Sequence, residues 1–446
     1  MLKRLAKVRT GTWLAGVTAL AVLERLLMVV FYPPVSYSDT DSYRHLADTI
    51  LAGWRMYDGT RTPGYPLFLA VFGPDERVYL AQLVFGLLTT LLFFYIGWRV
   101  TGKGWAGALA ALLHTLNLQQ LFFEANLITE AITTFYIAVV LAALAWLLFP
   151  QGERPLGKTL AAALVIGGIG GLAALTRPLF IFLPFLAAFV LLVFWRVRPS
   201  LRWGAALASG LSALLLVAVW VNFIHTTYHR WALETMTGYH LVQHTGAWFE
   251  YVPDQYAALR DTFIKFRNTR IAATGSPANA IWDAIPAMEQ VSGVGFYDLS
   301  DLLTKISIQL ILQHPLLYLR SAALGWLWFW KVPVYWAPGQ VGSALLQRLL
   351  NGLVLVERGL LFVSNLAFLA GSLALLWKRA RRWLSPDLFV YFSVAVIWLT
   401  SILQTLTDHG DNPRFEVPVQ TLVILVALGW SARLVKIRSE RKEKNG

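Results

Sequence analysis

The 446-residue chain contains no cysteine, which removes disulfides, thiolate catalysis and cysteine-ligated metal from its chemistry. Charge is scarce: 14% of residues are Asp, Glu, Lys or Arg, against roughly 25% in an ordinary soluble domain. A Walker loop and a strand-linked G-x-G-x-x-G are also missing, so a nucleotide-sugar donor has no evident cradle. No convincing internal repeat is present, which weakens an inverted-repeat transporter reading.

Apolar sequence fills the space. Hydrophobic residues make up 57% of the chain, in runs of about 20, the length that crosses a hydrocarbon layer roughly 30 Å thick. These runs are apolar on every side rather than at helical spacing, as a membrane span is and a surface helix is not. The formal charge of +13 raises nucleic acid as a partner, but the basic residues stand beside the spans. They cluster at Lys3 to Arg9, Arg99 and Lys103, Arg154 and Lys158, Arg196 to Arg202, Lys378 to Arg382, and after Ser431. The positive-inside rule assigns these clusters to one face, the cytoplasmic one, and leaves nucleic acid without a case. The first apolar run follows a basic start but exceeds a signal-peptide core and has no clear cleavage site, so it reads as a retained helix.

The expected fold is an all-α polytopic membrane protein of about ten helices, with both termini cytoplasmic. Spans fall near 12–32, 79–98, 104–121, 128–149, 159–176, 178–195, 203–224, 353–376, 387–406 and 414–433. Three regions result: a transmembrane module over 1–224 with its first outer loop at 33–78, an extracytoplasmic loop plus interfacial helix over 225–352, and C-terminal spans with a basic tail over 353–446. The segment from Pro315 to Trp330 cannot make a full crossing without reversing the sidedness of Lys378 to Arg382. Its Trp residues and Arg320 suit an interfacial or re-entrant helix, a membrane hairpin over 315–351 being the alternative.

The first outer loop concentrates polar features: Ser38-Asp39-Thr40-Asp41-Ser42-Tyr43, then Arg61-Thr62-Pro63-Gly64-Tyr65-Pro66. Leu46, Ala47, Ile50 and Leu51 lie at helical spacing, which predicts a short amphipathic helix from Asp41 to Trp54 with Ser38 or Asp39 as N-cap. Carboxylates at such a start would be held ionised by the peptide dipoles. Simple capping is the competing explanation of the same residues.

The pattern Asp-x-x-x-Tyr, an amphipathic helix, a Gly, then Arg-Thr-Pro-Gly-Tyr-Pro-Leu-Phe-Leu-Ala resembles the GT-C superfamily of membrane glycosyltransferases. The resemblance is to the branch holding bacterial aminoarabinose transferases, protein O-mannosyltransferases and similar lipopolysaccharide-modifying enzymes. Leu127 to Glu130, Gly171 to Pro178, His314 to Leu319 and Asn412 to Phe415 agree in order, so it spans nearly the whole chain. Where those transferases carry a Lys-Pro-Pro type sequence, this chain has Arg61-Thr62-Pro63.

The resemblance implies a GT-C type fold and a polyprenyl-phosphate-linked sugar donor. It also implies an Asp of the first outer loop as general base. Asp39, four before Tyr43, matches that position, with Asp41 the second candidate. Inverting displacement of a lipid phosphate needs a base for the acceptor hydroxyl and cations for the growing phosphate charge. Arg61 suits the phosphate, Arg414 matches a donor-phosphate position of the family, and Arg177 is a third candidate. Tyr43, Tyr65 and Glu130 are expected to shape the pocket. Glu124 is the metal candidate: with Glu130 and either Asp39 or Asp41 it could supply hard oxygen ligands for Mg or Mn, against a hydrogen-bonding role.

His240 and His244 stand at i, i+4, a spacing open to metal, but without a diagnostic third ligand they read as surface histidines. Glu24 and Arg25 are expected to pair with other helices. The leading functional expectation is an inverting glycosyltransferase at the outer face of a bacterial cytoplasmic membrane, acting on a lipid, glycan or protein acceptor. A lipid or solute transporter or flippase, and an O-antigen polymerase or ligase, stand as alternatives.

Overall fold

A computed structural model describes residues 8–153, 155–384, 386–410 and 412–445, with only the backbone described at Ser38 and over 436–445. Lys3, Arg4, Lys7 and Arg154 of the basic clusters, and the Ser38 side chain as a cap, lie outside the described residues.

The chain folds into helices. The first two thirds of the membrane part comprise α1 (Thr10–Phe31), α2 (Ser38–Leu51), α3 (Gly64–Phe72), α4 (Asp75–Thr101), α5 (Gly104–Thr115), α6 (Leu118–Ala125), α7 (Glu130–Leu148), α8 (Leu156–Thr176), α9 (Phe182–Val193) and α10 (Pro199–Tyr228). The region after α10 contributes α11 (Thr237–Thr245), α12 (Ala257–Thr274), α13 (Ala280–Ser292), α14 (Phe296–Gln313) and α15 (Pro315–Phe329). The chain closes with α16 (Ala344–Ala374), α17 (Lys378–Leu384), α18 (Leu388–Thr407) and α19 (Val417–Asn445).

Among the described residues, eight helices are long and apolar enough to cross a membrane, or nine if the bent pair α14 and α15 is one span. Two of the ten expected spans therefore take another form. The segment 104–121 is broken between α5 and α6, where the Asn117 side chain accepts from Gln120 N at 3.0 Å and caps a new helix. The other is the short apolar segment Pro178–Val193. The protein is a helical, multi-spanning membrane protein.

The two ends of the bundle are distinct. Thr10 packs on Gly104, Phe149 lies 6.1 Å from Phe389 between ring centroids, and Val100, Phe149 and Leu384 belong to one apolar cluster, so the 102–103 turn, the end of α7 and α17 share one end. That end carries Arg99, Lys103 and Lys378 to Arg382. The other gathers the first loop, the 126–129 turn, the α8 terminus and the entry to α19.

The region after α10 is a small domain with its own core of Tyr239, Phe249, Phe263, Met288 and Leu303. α15 then turns 104° from α14 and packs against the bundle, a pair shaped as a broken span or a re-entrant loop. Trp326 stacks on Trp398 of α18 and Trp330 on Phe368 of α16, each at 5.8 Å between centroids. Trp330 is buried and Trp326 and Trp398 partly so, which takes apolar indole surface out of contact with solvent. The run 331–343 leads out to α16, which starts at Ala344, well before the expected 353.

Candidate active site

The first loop is tied to the bundle by backbone. Val35 N donates to Ala125 O at 2.9 Å and Leu127 N to Val35 O at 2.9 Å. Thr40 Oγ1 accepts from Tyr37 N at 2.8 Å and donates to Leu127 O at 3.0 Å. α2 therefore starts at Ser38, earlier than expected, with Tyr37 in the cap position and Asp39 inside its first turn beside the start of α7. That places Asp39 near Glu130, 91 positions on.

Arg61 arrives by a second route. Tyr57 OH donates to Arg61 O at 3.0 Å, and the Tyr57 ring meets Trp220 and Phe223 of α10 edge-on. Gly64, in the most distinctive motif of the sequence, lies against the end of α8. A Cβ there would stand 2.3 Å from Thr176 Oγ1 and 2.6 Å from Leu175 O, so only glycine permits this approach. Arg177 follows directly as the C-cap of α8. Arg414 sits in the 3-10 turn Asn412–Glu416, held by Asn412 Nδ2 donating to Gly325 O at 3.2 Å.

These routes converge on one ionic cluster. Arg61 Nη2 donates to Asp39 Oδ1 at 2.9 Å and Arg414 Nη2 to Asp39 Oδ2 at 2.6 Å. Glu130 Oε1 accepts from Arg177 Nη2 at 2.9 Å and lies 3.3 Å from Arg414 Nε. Phe415 lies between two guanidinium groups, 4.3 Å from Arg177 Cζ and 5.5 Å from Arg414 Cζ, while Arg61 Cζ stands 5.3 Å from the Tyr43 ring. Three cations face two carboxylates. Two buried N–H groups, Arg61 Nε and Arg177 Nη1, have no hydrogen-bond partner, a costly state that an added anion would relieve. Burial pushes the Asp39 carboxyl up, but Arg61 and Arg414, with Arg177 farther off, outweigh it and hold the group at about 2.

Asp39, Tyr43, Arg61, Arg177 and Arg414 line one cavity of about 1050 Å³. Glu130 is fully buried behind its arginines. Tyr65 does not reach the wall: it backs Tyr43 edge-on at 5.1 Å between centroids, and its hydroxyl donates to Gln82 Oε1 at 2.9 Å. It supports the pocket instead of lining it, because α3 packs inward on α4. Asp41 is exposed and outside the lining, one helical step of roughly 200° from Asp39.

Glu124 has another partner. Arg25 Nη2 donates to Glu124 Oε1 at 2.5 Å, and Arg25 Nη1 reaches Thr115 Oγ1 at 2.9 Å. Glu24 accepts from Thr115 Oγ1 at 2.6 Å. These groups pin α1 to α4, α5 and α6, so the expected metal set of Glu124 with Asp39 or Asp41 does not assemble. Among the described residues, no group of three or more His, Asp or Glu side chains is placed to hold a metal ion.

The histidines depart from expectation. His244 is fully buried, with Nδ1 2.9 Å from Ser321 Oγ, and burial lowers its pKa to about 4. His240 lines the same cavity as Asp39. Its ring nitrogens face two carboxylates, Nε2 3.4 Å from Glu234 Oε1 and Nδ1 3.4 Å from Asp408 Oδ2. Neither is a surface residue, because α11 packs on α14 and α15. Glu234, Asp408 and Lys331 are cavity residues that the linear pattern did not single out. An Asp two before a Gly at a span end was a faint signal for Asp408 alone.

The fold and cavity define a helical membrane protein with a large ionic pocket at one end of its bundle. No protein-family model matches the chain, and no curated protein matches it. Among solved structures it aligns with ArnT from Cupriavidus metallidurans bound to undecaprenyl phosphate, at a TM-score of 0.35 and 17% identity over 96% of this chain and 79% of that one. It also aligns with the apo state of that protein, at 0.39 and 15% over 94% and 77%. Likeness of this degree carries no argument about activity.

Proposed function

We propose that the protein is an inverting glycosyltransferase that uses a polyprenyl-phosphate-linked sugar, with Asp39 as general base and Arg61, Arg177 and Arg414 as the phosphate site. The observation that carries this reading is the Asp39 carboxylate clamped between Arg61 and Arg414 in the cavity wall. Three guanidinium groups supply planar, forked donors suited to phosphate oxygens. They are held by Glu130, Phe415 and Tyr43 before any ligand arrives, and preorganised donors stabilise a leaving phosphate without reorganisation. The resemblance of the Asp39–Tyr43 and Arg61–Ala70 motifs to the GT-C glycosyltransferases points to the same chemistry.

The order of events follows from charge. In the resting site Asp39 is a weak base because two arginines occupy its oxygens. A lipid phosphate entering the cluster competes for those arginines, frees the carboxylate and adds negative charge nearby, and both effects raise its basicity. The freed Asp39 takes the acceptor hydroxyl proton as that oxygen attacks the anomeric carbon. The bond from that carbon to the phosphate oxygen breaks, and the arginines hold the departing phosphate.

The acceptor is a lipid, glycan or protein hydroxyl, and the cluster belongs to the outer face of a bacterial cytoplasmic membrane, since the opposite end carries the basic turns. The test is transfer from radiolabelled undecaprenyl-phosphate sugars in proteoliposomes containing cell-envelope extract as acceptor. Label should move into an acceptor with the wild type and not with Asp39→Asn. Equal transfer by the two, or none with any donor, would sink the reading.

A further inference from the structure

The same cavity holds a second cluster that the proposed chemistry does not use. Glu234 comes from the segment between α10 and α11, His240 from α11 and Asp408 from the end of α18, so three elements contribute one group each. All three line the cavity that holds Asp39. Asp408 is fixed by Gly410 N, which donates to its Oδ1 at 2.8 Å. His240 stands 3.4 Å from each carboxylate, and a carboxylate has about four lone-pair sites, so its oxygens keep lone pairs for a ligand. Trp282 stands beside it, 5.7 Å from the His240 ring between centroids, and also lines the cavity.

The position relative to Arg61 matters. Arg61 lines the same cavity as Glu234, His240 and Asp408, so the two clusters face one shared space. On the reading of Arg61 as a phosphate ligand, a sugar joined to that phosphate by one bond must occupy adjacent space. We propose that Glu234, His240 and Asp408, with Trp282 as an apolar face, form the subsite that reads the donor's sugar ring, accepting hydrogen bonds from its hydroxyl groups and excluding a ring that carries a carboxylate. Two carboxylates against one histidine leave the cluster negative whether or not the imidazole is protonated. Ionised carboxylates only accept, so hydroxyl donors satisfy them and a uronic acid meets like charge in a partly desolvated site. An indole beside them presents the apolar surface that sugar C–H faces cover.

This inference rests on the donor reading above, and the experiment separates the two. Full-length protein in lipid nanodiscs is titrated with three probes: undecaprenyl phosphate, undecaprenyl-phosphoryl-glucose and undecaprenyl-phosphoryl-glucuronic acid. The galactose and galacturonic acid pair is run beside them. The wild type should bind bare undecaprenyl phosphate, and it should bind the neutral sugar lipid at least tenfold more tightly than its acidic counterpart in one or both pairs. Glu234→Gln and Asp408→Asn should narrow that gap to threefold or less, with binding of bare undecaprenyl phosphate within twofold of wild type. An acidic probe bound as tightly as the neutral one in both pairs overturns the sugar subsite while leaving the phosphate site standing. So do variants that keep the wild-type gap, or that lose bare phosphate binding together with the sugar. Failure of the wild type to bind undecaprenyl phosphate overturns the donor reading, and this inference with it. The wild-type comparison needs no variant, so a misfolded substitution cannot protect the proposal.

Discussion

Asp39 and Arg414, 375 positions apart in the chain, meet through a 2.6 Å bond from Arg414 Nη2 to Asp39 Oδ2. The other oxygen belongs to Arg61 at 2.9 Å. A carboxylate thus occupies donors that suit a phosphate. On the proposed chemistry this would make Asp39 both the competitor of a donor phosphate and the base that its arrival releases.

Asp39→Asn should therefore separate binding from chemistry. The amide cannot take a proton, so transfer should fall by at least about a thousandfold, the loss expected of a general base together with its electrostatic role. Arg61 and Arg414 lose their internal anion, so undecaprenyl phosphate should bind several-fold more tightly. Titration in nanodiscs reads this, and weaker binding than wild type would contradict the competition.

The pH profile should split in a set direction. In the free protein Asp39 titrates at about 2, so kcat/KM should show no acid limb from this group above about pH 4. In the donor complex its basicity is raised, so kcat should begin to fall at higher pH than kcat/KM does. For folding, the depressed value means that the contribution of Asp39 is full above the usual carboxylate range and lost as pH falls through about 2. Coincident acid limbs in kcat and kcat/KM would argue against an arginine-to-phosphate exchange.

Glu130→Gln should destabilise the protein by about 3 to 5 kcal/mol, as breaking a buried pair does when the partner charge stays. Glu130 is fully buried and its Oε1 serves both Arg177 and Arg414. Thermal unfolding in detergent reads the loss. Adding Arg177→Gln should restore part of it, and strictly additive losses would show that the pair is not coupled.

Gly64→Ala should lower the unfolding temperature and transfer together. The added Cβ meets backbone oxygen of Leu175 at 2.6 Å, which cannot swing aside as a flexible side chain would. α3 must then shift off α8, and Arg61 shifts with it. Gly168→Ala in α8, where nothing lies within 4 Å of the added carbon, is the control and should leave both unchanged.

Much of the architecture was legible in the linear chain because membrane insertion depends on local quantities. Run length and all-round apolarity are enough to place a span, and basic clusters are enough to group its ends. The Asp39–Tyr43 and Arg61–Tyr65 motifs stood out for a similar reason, since polar residues crowded between apolar runs need some explanation. Breaks were less visible. In 104–121 Asn117, Gln119 and Gln120 interrupt the apolar run, and the break itself is made by one side-chain cap.

Hydropathy and charge alone establish that the chain lives in a membrane, where most of its spans lie, and that its first polar loop carries an acid, an arginine and a glycine-centred turn. Which charges meet depends on how the helices pack. Arg177 and Arg414 reach Glu130 and Asp39 because two span ends, the short helix α2 and a 3-10 turn converge, and Glu124 goes instead to Arg25. Asp41 and Tyr65 stood as near the motif as Asp39 and Tyr43, yet helix rotation turns the first to solvent and packing on α4 draws the second inward. His240 enters the cavity because the domain after α10 packs over it. Pairing between distant charges depends on helix packing angles and rotamers, and neither is written in hydropathy or spacing.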